Sequence, residues 1–253
     1  MNKVLHDTWL IFVRSLMLTL RNPVWVFIGL MQPILYLALF APLLEPIASG
    51  PGFPQGGAFN VFVPGLLVQL AMFSTFSGFG LIAELRAGVV ERMRVTPISR
   101  IAMLLGRALR DVAILLVQSA LIIVCALPFG LTIEPGGFVI ALVLLALIGL
   151  IMTTFSYSVA LAVKSEDVLA PVINAVFLPV LLLSGILLPM TLAPRWLQWV
   201  AAANPLSHAV DAMRSLFAGV ILDGTVALGI GLMLVLAAIS LYFAGRAFAR
   251  SQA

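Results

Sequence analysis

The chain has 253 residues, of which 62% are hydrophobic and only 9% charged, with a mean hydropathy of +1.18. A typical soluble domain carries roughly 25% charged residues, so this chain cannot cover a water-facing surface and reads as an integral membrane protein. Its single cysteine, Cys125, excludes a disulfide framework and a cysteine metal site. The basic balance, a net charge of +4, points to membrane orientation and not to nucleic acid.

Residues 1–23 come first. Leu5, Trp9, Phe12, Leu16 and Leu20 share one helical stripe, while Asp7, Arg14 and Arg21 recur every seven residues on the opposite side. This pattern predicts an amphipathic helix in the cytoplasmic interface. The spread of Lys3, Arg14 and Arg21 gives no expectation of a cleavable signal peptide. Six apolar runs follow, each about the 20 residues that a helix needs to cross a bilayer: 24–44, 60–83, 103–127, 137–163, 168–188 and 226–244. The expected fold is an all-α polytopic membrane protein of six spans. A single permease domain, 1–253, divides into the interfacial helix 1–23, spans one to five over 24–188, an external re-entrant segment 189–224, and span six with the tail, 225–253.

Counting lysine and arginine between the runs puts twelve of fourteen on one side, leaving Arg195 and Arg214 on the other. By the positive-inside rule both termini are expected to be cytoplasmic. That bias concentrates in ELRAGVVERMRVTPISR, residues 84–100, with four arginines and two glutamates. On a helical projection Leu85, Val89, Met93 and Thr96 share a narrow arc, and Glu84 and Glu91 fall on the far side. A solvated loop accounts for the arginines alone. A docking surface for a cytoplasmic partner accounts for the arginines, the paired glutamates and the apolar stripe together.

Within the spans, Arg107 and Asp111 stand four apart and are expected to pair, because a lone charge in the bilayer is costly. Gln32, Gln69, Gln118 and Asn174 are lone amides suited to interhelical hydrogen bonds, with substrate contact as the other reading. Phe73, Phe76 and Phe79 drift around an ideal α-helix and are expected in packing. Outside, Trp196 and Trp199 suit a membrane–water interface. Ser207, His208 and Asp211 lack a nucleophile elbow or oxyanion motif and read as a local polar cluster, with Asp211 and Arg214 an i, i+3 pair. The two histidines, His6 and His208, fall on opposite faces, so no metal site is expected.

The stretch 84–100 resembles the loop of type-2 ABC exporter permeases, E-x-x-x-G-x-x-E-R-x-x-x-T-P-x-S-R, matched here by Glu84, Gly88, Glu91, Arg92, Thr96, Pro97, Ser99 and Arg100. FVPGLLVQLAMFSTFSGFG is similar to the second span of that family, ANPLSHAVDAMR to the element before its last span, and LRNP to its N-terminal turn. The likeness leans toward the daunorubicin-resistance-like drug-export permeases. It implies a permease homodimer in the plasma membrane, docked on two copies of a cytoplasmic ABC ATP-binding subunit that carries ATP and Mg. Coupling would fall to Glu84, Gly88, Glu91, Arg92, Arg94, Thr96 and Pro97, a cytoplasmic coupling helix between spans two and three, with Arg14 and Arg21 of the interfacial helix. Intramembrane or gate candidates are Arg107, Asp111, Gln69, Asn174, Asp211 and Arg214. No G-x-x-x-x-G-K-[ST] phosphate loop occurs in the chain, so it is expected to be no enzyme itself and to bind no cofactor. The expected cargo is hydrophobic or amphipathic, drug-like or lipid-like. The alternatives are a polysaccharide or lipid-linked glycan exporter of the same architecture and an ion-gradient-driven secondary transporter.

Overall fold

The computed structural model describes residues 2–21, 24–48, 57–88, 99–187 and 190–250. These residues are helical with no strand among them: α1 (Asn2–Arg21), α2 (Val24–Ala48), α3 (Gly57–Phe73), α4 (Ser77–Arg86), α5 (Arg100–Ala126), α6 (Pro135–Val163), α7 (Glu166–Leu182), α8 (Arg195–Ala202), α9 (Pro205–Phe217) and α10 (Gly224–Arg250). Among the described residues four helices are long and apolar enough to cross a membrane: Ala58–Arg86, Ile101–Phe129, Pro135–Val163 and Gly224–Ala249. A fifth arises if Lys3–Arg21 and Val26–Phe40, bent by 71°, are counted as one. The chain is therefore an all-α, multi-pass membrane protein. Helix α7, at 17 residues, is about 26 Å long and falls short of the 30 Å or so of a hydrocarbon core.

The centre of the bundle is the span Ala58–Arg86, whose Val63, Leu66, Val68 and Ala71 are fully enclosed. It packs against α2, α6 and α9. Exposed apolar side chains such as Val139, Val143, Leu228 and Val235 cover the outside of the helix bundle, as lipid contact requires.

The apolar stripe anticipated for α1 faces outward, with Leu5, Trp9 and Leu20 exposed. Its other side docks on α5 through Ile11, which meets Ala102 and Met103. Asp7, expected on a solvated face, is 8% exposed and accepts the Ser99 backbone N–H at 3.4 Å. The carboxylate turns inward because the start of α5 offers it an unpaired amide. The α1–α5 crossing depends on Gly106. A Cβ there would stand 2.8 Å from Ile11 Cβ and Cγ2 and from the Thr8 carbonyl. Gly106→Ala is expected to lift α1 from α5, at about 1–3 kcal/mol for the overpacked contact. Faster tryptic cleavage at Arg21 in reconstituted vesicles would report it, and an unchanged rate would refute it.

Candidate functional site: a charged network at one end of the bundle and an arginine clamp at the other

Glu84 is brought into contact with Arg107. The two form an ion pair in which the guanidinium side chain is 5% exposed and the carboxylate 39%. The expected Arg107–Asp111 pair does not form. Asp111 instead meets its chain neighbour, Arg110 Nε, at 2.9 Å, and accepts the Tyr157 hydroxyl at 2.6 Å. Arg110 also donates to Thr19 Oγ1 at 3.2 Å. An i, i+4 pair on one helix competes with partners on neighbouring helices, and here Glu84 of α4 captures Arg107. The network thus ties α1, α4, α5 and α6 together where they converge.

Both ends of the 84–100 stretch are anchored. Before it, α4 holds Glu84 on Arg107 and Arg86 on Glu166 at 3.1 Å. After it, Ser99 caps α5 by accepting the Ala102 N–H at 3.0 Å while its own amide reaches Asp7. Gly88 adopts φ 64° just past α4, a left-handed conformation that glycine takes without strain. Glu91, Arg92, Arg94, Thr96 and Pro97 lie outside the described residues, and so does the helix expected there. Arg14 and Arg21 sit exposed on α1.

At the opposite end Arg214 of α9 reaches across two other segments. Its Nε donates to the Val61 carbonyl of α3 at 3.0 Å. One terminal nitrogen donates to the Gly185 carbonyl at 2.7 Å and the Ile186 carbonyl at 3.4 Å. Asp211 lies 3.7 Å away with its side chain 54% exposed, so the i, i+3 pair forms but is a minor partner. The run expected as helix to residue 188 ends at Leu182, and Gly185 turns the chain with φ 73°. That turn frees carbonyls which a buried guanidinium then satisfies. Asn204 works alongside, donating to Val180 O at 2.8 Å and accepting the Leu206 N–H as cap of α9. Gly65 is needed where α3 passes this turn, since a Cβ would come 2.5 Å from Ile186 O.

The other polar candidates read simply. Ser207 donates to Ala201 O and His208 Nε2 lies 3.0 Å from Ala202 O, so the two engage local backbone and do not converge on Asp211. Gln69 is 2% exposed in the core, whereas Asn174 bonds its own helix at Ala170 O, 2.9 Å. Gln118 does bridge helices, donating to Val26 O at 2.9 Å.

Sequence reasoning missed Arg110, Tyr157 and Thr19 as network members. The signal was TTFSYS, residues 153–158, five hydroxyl side chains in an otherwise apolar span. It also missed that Phe73, Phe76 and Phe79 stack in line, at 6.0 and 6.2 Å between centroids, with Phe177 of α7 against the first two. The drift expected of an α-helix is cancelled by a 3₁₀ turn at Ser74–Phe76, in which residues three apart eclipse.

Residues 6–218 match the model of a protein family described as ABC-2 type transporter. The chain belongs to the ABC-2 type transporter family. The matched stretch runs from α1 through α9 and so contains both the charged network and the arginine clamp. Members of this ABC-2 family are transmembrane permease subunits without catalytic ATPase domains of their own. The chain is 28% identical over 82% of its length to ycf38 of Cyanophora paradoxa, a transport permease by name, covering 73% of that protein. It is 27% identical over 81% of its length to the daunorubicin resistance ABC transporter permease protein DrrB1 of Streptomyces coeruleorubidus, covering 73% of it. A shorter match, 26% identical over 65% of this chain, falls on 23% of ABC transporter G family member 20 of Dictyostelium discoideum.

Proposed function

We propose that this ABC-2 permease is the membrane half of an ATP-driven exporter, moving a hydrophobic or amphipathic molecule outward on power from a separate ATP-binding subunit. Two copies would enclose the route along their interface, each docked on one ATPase. The resemblance to DrrB1 supports a drug-like cargo, and the scarcity of charge within the spans suits an apolar one. In this reading α2, and α7 together with the turn that follows it, complete six spans, both termini face the cytoplasm, α8 and α9 form the re-entrant outer segment, and residues 84–100 carry the coupling element. The whole chain acts as one permease domain.

The observation that carries the reading is the anchoring of 84–100 at both ends. Glu84 is locked to Arg107 in α5, and Ser99 to Asp7 in α1. A force applied between these anchors is delivered to α1, α4, α5 and α6 at once. Because Glu84 holds a buried cation, its removal mixes coupling with stability, and Glu91 is the cleaner probe. Glu91→Ala is expected to preserve membrane insertion and assembly while reducing daunorubicin-stimulated ATP hydrolysis to near the basal rate. Full stimulation in this variant would sink the coupling role. The primary test is purification of the chain from its native membrane in mild detergent. A stoichiometric ATPase with a phosphate loop should accompany it, and a clean single-chain preparation without ATPase would overturn the exporter reading.

A further inference from the structure

Span Ala58–Arg86 is interrupted at Ser74–Phe76 by the 3₁₀ turn, and the polar groups around that turn come from one neighbour. In an α-helix the Gly78 N–H would bond the Ser74 carbonyl. Here the Ser77 N–H takes that carbonyl, joined by the Ser77 hydroxyl. The released Gly78 N–H donates to Ser156 Oγ of α6 at 2.9 Å. The same Ser156 hydroxyl donates to the Thr75 carbonyl, so one side chain holds two backbone groups away from α-helical partners. Ser156 is fully buried, and its approach needs the missing side chain of Gly78, where a Cβ would lie 2.5 Å from Ser156 Oγ.

We propose that residues 74–78 are a two-state joint, held in its 3₁₀ form by Ser156 and closing to α-helix when the loop beyond α4 is pushed toward the membrane. The inference rests on the reading of 84–100 as a coupling element and supplies the device that such an element would drive. Three residues changing from 120° to 100° each turn α4 by about 60° against α3, and the span shortens by about 1.5 Å. The turn swings Glu84 away from Arg107 and breaks the Phe73–Phe76–Phe79 alignment, so α7 senses the change through Phe177. A mid-span 3₁₀ segment is a recurrent place for such a hinge, and hydroxyl side chains are the usual means of satisfying irregular backbone inside a membrane. Ser156 is thus a positioning residue, acting through the backbone of its neighbour.

The test places 4-fluorophenylalanine at position 79 and follows its ¹⁹F resonance in the purified complex with the ATP-binding subunit. Phe79 stacks on Phe76 at 6.2 Å, so the ring current changes when α4 turns. The nucleotide-free complex should give one main resonance, and trapping with ADP and vanadate a second. Ser156→Ala should raise the second resonance without nucleotide, by about fivefold for each hydrogen bond lost. Gly78→Ala is no substitute for it, since its Cβ would also stand 2.9 Å from the Ser156 carbonyl and part α4 from α6. A resonance unmoved by vanadate overturns the joint with no substitution at 78 or 156, so misfolding of a variant cannot mask the result. If Glu91→Ala still uncouples that same complex, the exporter reading stands and the joint alone falls. If no ATPase binds, both fall.

Discussion

Arg214→Met is expected to cost the protein about 3 kcal/mol or more, because three buried carbonyls lose their donor at about 1–3 kcal/mol each. The carbonyls of Val61, Gly185 and Ile186 belong to α3 and to the turn after α7, so the loss separates elements and does not merely soften one. Arg214→Lys should recover only part, since a single ammonium lacks the planar fork that reaches two segments at once. Asp211→Ala should be nearly silent, because its carboxylate is 3.7 Å away and half in solvent. Thermal unfolding in detergent, followed by size-exclusion fluorescence, measures all three. If Asp211→Ala proved as harmful as Arg214→Met, the clamp would be the ion pair and not the carbonyls.

The second large effect lies at the other end, and its size depends on which partner is removed. Glu84→Gln leaves the Arg107 guanidinium, 5% exposed, without its counter-charge, and breaking a buried pair costs about 3–5 kcal/mol. Arg107→Met leaves a carboxylate that is 39% exposed and can turn to water, so it should cost less. The double variant should stand closer to the original than Glu84→Gln does, because no unpaired buried charge remains. The same unfolding measurement ranks them, and the reverse order of the single variants would show that Glu84 is the more enclosed partner.

The helical architecture was legible because each apolar run is long enough to declare itself, and α1 because its stripe has a helical period. Where the helices stop was not legible. Nothing in VINAVFLPVLLLSGILLP distinguishes the helical part from the turn at Ser184–Leu187, since the donor that makes the turn tolerable is Arg214, thirty residues on. Arg107 shows the same limit. Its i+4 neighbour Asp111 was the visible partner, but Glu84 on α4 reaches it first, and pairing across helices leaves no spacing to read. Ser156 was invisible for a related reason, being one hydroxyl among five in TTFSYS until the break in the facing helix gives it work. Tertiary contacts, and not motifs, assigned the bonds at both ends of the bundle.

The burial of α9 sets an order on biosynthesis. Gly137 of α6 lets the Leu216 carbonyl pass where a Cβ would collide, and Gly229 of α10 does the same for His208 O and the Ala212 methyl. The slot for α9 therefore has one wall from a helix made before it and one from a helix made after it. Until α10 is made, Leu206, Val210, Met213 and Phe217, all buried in the finished fold, have half a socket. A chain truncated before residue 224 would keep every residue of the clamp and is expected to seat it against one wall only.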